Sequence, residues 1–227
     1  VSQDMPELHA RLLADVITLG SPYPLVLTGG YAVRAHRLVS RPSQDLDVAT
    51  ENPAPMADIA AALRSGLQER GWQVQSLETA PLSARFTVRD PDTDQEVEVD
   101  ILKEIFWRPV ADSPYGPVLA EEDVIGTKVR ALGDRGAPRD LIDVFAASRR
   151  WSTADLEEFG RRHARGRFER EDLQANLAGA EWIDDEAFAA YGLDAATITT
   201  LRAWAVEWAD DLASRLFEED QSHHDQD

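Results

Sequence analysis

The stretch LTGGYAVRAHRLVSRPSQDLDVA, residues 27–49, decides the fold. It begins inside a short apolar run, residues 24–28, that reads as a buried strand after a Gly-Ser-Pro break. Gly29 and Gly30 follow, and YAVRAHRL (31–38) has the pattern of a helix. After RPSQ, the run DLDVA alternates Asp with apolar residues, as a half-buried strand does. Strand side chains alternate faces, so Asp45 and Asp47 are expected on one side while Leu46 and Val48 enter the core. Two carboxylates held this close repel, and a hard divalent cation between them relieves the repulsion. Such a pair is common on surface strands, so its surroundings matter. Gly29 and Gly30 would leave backbone N–H groups facing phosphate oxygens with no Cβ in the way. A tight strand-to-helix turn also favours glycine, and both readings stand.

Outward from this stretch, residues 6–19 read as an opening helix after Pro6, and 56–70 as a second with Ile59, Leu63 and Leu67 on one side. WQVQSLE (72–78) reads as a strand. ARFTVRD (84–90) and EVEVDILKEIF (96–106) bracket the turn formers 91–95 and read as an antiparallel hairpin. Its second strand carries Asp100, a third carboxylate, with Val97, Val99 and Ile101 on the opposite face. Glu96 and Glu98 share the face of Asp100 and read as solvated hairpin positions. The Pro and Gly residues of 109–117 read as the end of the α/β portion, and everything beyond Ala120 has helical period. Helices are expected at 121–132, at 138–149, after Ser152–Thr153 with an acidic capping pattern, and at 198–217. Trp204 and Trp208, four apart, are expected to share or adjoin one buried stripe rather than form a ligand site. The last eight residues read as a frayed tail whose two histidines are no metal site. The resulting expectation is an α+β fold: a mixed β-sheet of four or five strands flanked by helices on one face, residues 1–117, then a helical C-terminal lobe, 118–227.

The 227 residues carry a net charge of −19 and no cysteine. This excludes a disulfide framework and thiolate metal sites, and disfavours indiscriminate adhesion to nucleic acid or anionic membrane. No apolar stretch approaches a membrane span, and residues 1–20 lack a secretory pattern, so a cytoplasmic location is expected. The acidity is uneven: residues 151–227 hold 19 Asp and Glu against 7 Arg. Solubility accounts for an acidic surface, yet any anionic substrate then needs a local basic patch or bound metal. Only two lysines occur, Lys103 and Lys128, and Lys128 lies in a basic segment with Arg130, Arg135 and Arg139. That segment suits β- or γ-phosphates; a solvated helix face is the plain alternative. Lys128→Ala is accordingly expected to weaken triphosphate binding and spare the fold. Asp140 and Asp143 would position Lys128 or Arg139, or cap a helix start. Arg34, Arg37 and Arg41 form a second basic group beside the glycine turn, with His36 among them as an exposed imidazole of no catalytic claim. There is no P-loop string and no His-Glu-x-x-His, so nucleotide handling by a P-loop and zinc hydrolysis lose their usual signatures. Three carboxylates do match two-metal phosphoryl chemistry, with Mg²⁺ or Mn²⁺ as the ion.

In these motifs the chain resembles the nucleotidyl transferase AbiEii/AbiGii toxin family, a branch of the polymerase-β-like nucleotidyltransferases. The matching residues are LTGGYAVRAHRLVSRPSQDLDVA, EVEVDIL and KVRALGDRGAPRDLIDVF (128–145), and the resemblance spans roughly residues 8–150. It implies a nucleotidyltransferase-like sheet and an enzyme that moves a nucleoside monophosphate from an NTP to an acceptor hydroxyl. It implies Asp45, Asp47 and Asp100 as metal ligands and, with Lys128, as catalytic residues. Thr28, Gly29, Gly30, Arg41, Ser43, Lys128 and Arg139 would hold the nucleotide. The implied acceptor is RNA, at the acceptor end of tRNA, and the implied partner a cognate antitoxin in a toxin–antitoxin or abortive-infection system. A small, aminoglycoside-like acceptor and a non-catalytic interaction module on the same fold are the alternatives. Acidity and the scarcity of lysine depart from an RNA binder. The glycine pair also replaces the Gly-Ser of many related enzymes, which leaves a serine contact to phosphate missing or supplied by Thr28.

Overall fold

A computed structural model describes residues 5–41 and 43–224 of the chain. Helix α1 (Glu7–Leu19) is followed by strand β1 (Val26–Leu27), helix α2 (Gly29–Ala35), strand β2 (Leu46–Thr50) and helix α3 (Met56–Glu69). Strands β3 (Gln73–Ala80), β4 (Ser83–Arg89) and β5 (Glu96–Lys103) come next, then the short β6 (Ala111–Ser113) and β7 (Gly116–Val118). Among the described residues these make one seven-stranded mixed sheet in the order β3-β4-β5-β2-β1-β7-β6. The contacts divide the chain into two compact units, the first ending at Val124 and the second starting at Ile125.

The expected α+β class and mixed sheet are present, with more strands than the four or five expected. The difference is the β6–β7 hairpin, which falls in the Pro- and Gly-containing stretch read as the end of the α/β portion. With three residues each, these strands are too short to show alternation, and β7 is held by parallel pairing of Leu27 with Val118. Alternation elsewhere is plain. Ala84, Phe86 and Val88 of β4 and Val97, Val99 and Ile101 of β5 are buried, as are Leu46 and Val48 of β2. They pack with Leu12, Leu13 and Val16 of α1 and Ile59, Leu63 and Leu67 of α3 in a single core.

The second unit is helical. Helix α4 (Glu121–Arg135) crosses the boundary, and α5 (Pro138–Ala147), α6 (Thr153–His163), α7 (Arg170–Ala178), α8 (Asp185–Ala189) and α9 (Ala195–His224) follow. Helix α6 starts with the expected capping box: the Ser152 hydroxyl accepts from the Asp155 N–H, and the Asp155 carboxylate from that of Ser152. On α9, Leu201, Ala205, Trp208, Ala209 and Leu212 are buried, giving the expected stripe. Trp208 stacks obliquely on Trp204 at 5.4 Å, and its Nε1–H donates to Glu157 at 2.9 Å. The helix continues through His224, so residues 220–224, read as frayed, are helical, and 225–227 lie outside the described residues. No helix among the described residues is long and apolar enough to cross a membrane.

Candidate active site

The site is assembled by strand pairing. Strands β1 and β2 run antiparallel with Val26 opposite Ala49 and Leu27 opposite Val48, and the Thr28 N–H continues the ladder to the Asp47 carbonyl at 2.9 Å. On its other side β2 runs parallel to β5, with Asp47 opposite Asp100. Strand β5 in turn is antiparallel to β4, with Asp100 opposite Arg85. Thr28, Asp47, Asp100 and Arg85 therefore form one row across four adjacent strands, and in-register neighbours put Asp47 and Asp100 on the same face.

The glycine pair closes one end of this row. Gly29 has φ +61°, and a Cβ there would collide with the Asp47 carboxylate, so glycine is required for both conformation and space. A Cβ at Gly30 would strike the Ser43 hydroxyl and come within 3.8 Å of Arg41 Nη1. Thr28, Gly29, Gly30, Arg41, Ser43 and Asp47 are thus brought together at the start of α2. Asp45 lies on a bend just before β2 rather than on the strand as expected, because pairing begins at Leu46. Its carbonyl accepts from the Ser43 hydroxyl at 3.3 Å.

Sequence reading missed three neighbours. Arg85 grips Asp100 with Nε and Nη2, each 2.7 Å from a different carboxylate oxygen. That hydrogen-bonded pair, together with the charges of Asp100, Glu98 and Asp45, raises the guanidinium pKa, partly offset by desolvation. The signal for it was present: a hairpin turning at 91–95 with Arg89 opposite Glu96 must set Arg85 opposite Asp100. Tyr31 and His9 had no such signal. Tyr31 is buried, its hydroxyl bonded to the Ser43 carbonyl at 3.2 Å and to His9 Nδ1 at 2.6 Å. Burial pushes the Tyr31 phenol up to about 12 and pulls the His9 imidazole down, with the Asp45 charge opposing the latter. His36 is half-buried rather than exposed, its Nε2 lying 2.7 Å from the Leu119 carbonyl.

Among the described residues no three His, Asp or Glu side chains converge closely enough to hold a metal ion. The donor chemistry nevertheless fits a hard divalent cation: two half-buried carboxylates stand in register, and a guanidinium cation lies against one of them. Asp47 and Asp100 would hold the ion, with Asp45 adjoining.

In the helical unit, Lys128 is buried rather than on a solvated face. Its Nζ lies 2.9 Å from Asp143 and 3.7 Å from Asp140, with its side chain 11% exposed. Asp140 is fully buried and accepts from Arg135 Nε at 2.7 Å through Oδ2, while its Oδ1 has no hydrogen-bond partner. Arg139 is half-buried in the first turn of α5. Lys103, the other lysine, is tied to the Ala54 carbonyl at 2.7 Å and to that of Asn52, which makes it a structural clamp.

A sequence model of the family described as "Nucleotidyl transferase AbiEii toxin, Type IV TA system" matches residues 11–221. The chain belongs to the AbiEii nucleotidyl transferase toxin family. It is therefore a nucleotidyltransferase of a type IV toxin–antitoxin family, and membership implies an NTP substrate and a cognate antitoxin. Among solved structures, the chain is similar in fold to JHP933 from Helicobacter pylori, at 17% identity, TM-score 0.53, and 98% and 99% coverage of the two chains. It is likewise similar to MenT4, a nucleotidyltransferase toxin from Mycobacterium tuberculosis H37Rv, at 17% identity, TM-score 0.59, and 90% and 82% coverage. No curated protein matches the chain.

Proposed function

We propose that this protein is a cytoplasmic, metal-dependent enzyme that transfers a nucleoside monophosphate from an NTP to RNA, at the acceptor end of tRNA. The observation that carries the reading is the in-register placement of Asp47 and Asp100 beside a glycine turn that only glycine fits. Asp45, Asp47 and Asp100 are assigned to Mg²⁺ or Mn²⁺. A bound ion would neutralise phosphate charge and make the acceptor hydroxyl a better nucleophile. Within the core, taken as residues 1–117, the first-turn N–H groups of Gly29 and Gly30 face the phosphates, and Thr28, Ser43 and Arg41 orient them. Within the helical unit, taken as residues 118–227, Lys128 and Arg139 are assigned to phosphate oxygens. Asp140 and Asp143 hold the Lys128 ammonium in one place, which favours a fixed phosphate position over a mobile one.

A second reading, a small-molecule acceptor, is favoured by the net charge of −19 and the two lysines, since a polyanionic acceptor would be repelled over most of the surface. One experiment separates them. Each α-³²P-labelled NTP is incubated with wild type and Asp47→Asn, with Mg²⁺ and either total RNA or a metabolite extract. Label in an RNA band with wild type only is the expected result. Label confined to the metabolite fraction would establish the second reading, and no transfer under either condition would overturn both.

A further inference from the structure

We propose that Arg85 is the resident counter-cation of Asp100, and that a divalent ion reaches Asp100 only by exchanging with Arg85, which then moves onto Glu98. The proposal rests on the metal reading above. Both oxygens of Asp100 are engaged by one guanidinium in the two-pronged geometry that makes arginine–carboxylate pairs strong. A metal approaching either oxygen therefore meets a cation already seated on that carboxylate, not water alone. Asp100 is 15% exposed and Arg85 46% exposed, so the carboxylate is fixed in the sheet while the arginine has room to move.

Glu98 supplies the second seat. It lies two residues before Asp100 on β5, on the same face, and its Oε1 is 3.2 Å from Arg85 Nε. Arg85 can leave Asp100 without losing a carboxylate partner, since a small rotation exchanges one acid for the other. Glu98 thus has a use beyond the solvated hairpin position expected of it. The device makes Arg85 a positioning residue: it acts on the site through Asp100, and sets how much cation concentration the site needs before it fills.

The test is Mn²⁺ binding to the intact protein without nucleotide, read from the free Mn²⁺ signal in electron paramagnetic resonance. Arg85→Gln should bind Mn²⁺ about tenfold more tightly than wild type, the scale expected for losing a partly exposed charged competitor. Glu98→Gln should bind a few-fold more weakly, because Arg85 then has no second carboxylate to move onto. The double variant decides between exchange and a simple field effect. Exchange predicts that Glu98→Gln has no further effect once Arg85 is Gln, whereas a field effect predicts the same weakening in both backgrounds and overturns the second seat. Arg85→Lys, a cation without the two-pronged grip, should fall between wild type and Arg85→Gln and guards against a folding defect in the latter. Equal affinity in wild type, Arg85→Gln and Arg85→Lys would overturn the proposal while leaving the metal reading in place. Absence of Mn²⁺ binding in all of them, or binding unchanged in Asp100→Asn, would instead remove the metal reading itself.

Discussion

Lys128 shows how much a side chain's surroundings alter what its removal does. From its basic neighbours in sequence, truncation to Ala would be expected to weaken nucleotide binding and spare the fold. In the structure the ammonium is flanked by two buried carboxylates, one with an oxygen that has no hydrogen bond. Deleting it leaves two buried carboxylates side by side with Arg135 still on Asp140, which is more damaging than losing a surface ion pair. Lys128→Ala is therefore expected to destabilise the protein by roughly 3 kcal/mol, measured by urea denaturation. A loss below about 1 kcal/mol, the range of exposed pairs, would show that solvent reaches the cluster. Nucleotide binding is better probed with Lys128→Arg, which keeps the charge. The spacing of Asp140 and Asp143 made them candidates for pairing with Lys128, but spacing cannot say whether such a pair is wet or dry.

Helix α2 illustrates the same point for elements. Its two ends both use left-handed backbone, at Gly29 (φ +61°) and at Arg37 (φ +58°). At the second end the N–H of Leu38 bonds to the Val33 carbonyl at 3.1 Å and that of Arg37 to the Arg34 carbonyl at 2.8 Å, the paired bonds of a Schellman cap. Glycine normally occupies this position, and a residue with a Cβ is strained there. Arg37→Gly should consequently raise stability by about 1 kcal/mol, read as a shift in the denaturation midpoint with unchanged m-value. No change would mean that the Arg37 side chain makes contacts that offset the strain. The Gly29–Gly30 pair and the β4–β5 hairpin were legible because each is set by neighbours in sequence. The hairpin turn even fixes which residue faces Asp100. The end of α2 was not legible: nothing in the chain announces a cap built on arginine.

For the whole molecule the governing quantity is a net charge of −19, concentrated beyond residue 150. Self-repulsion of this size opposes compaction and is weakened by salt. Raising NaCl from about 0.01 M to about 0.1 M shortens the screening length from about 30 Å to about 10 Å. The melting temperature should rise over that interval. A fall would mean that surface ion pairs such as Arg161–Glu158 and Arg89–Glu96 outweigh the repulsion. The sequence by itself determined most of the element types, the hairpin register and the acidic balance, because each follows from local spacing or composition. Tertiary structure decided that Asp47 lies beside Asp100, that Lys128 is buried, and that β6 and β7 extend the sheet. The physical reason is the same in each case. Parallel pairing of β2 with β5 has no connecting turn to set its register, so burial of the apolar faces sets it instead. Burial of Lys128 likewise depends on helices meeting in space, which no window of sequence contains.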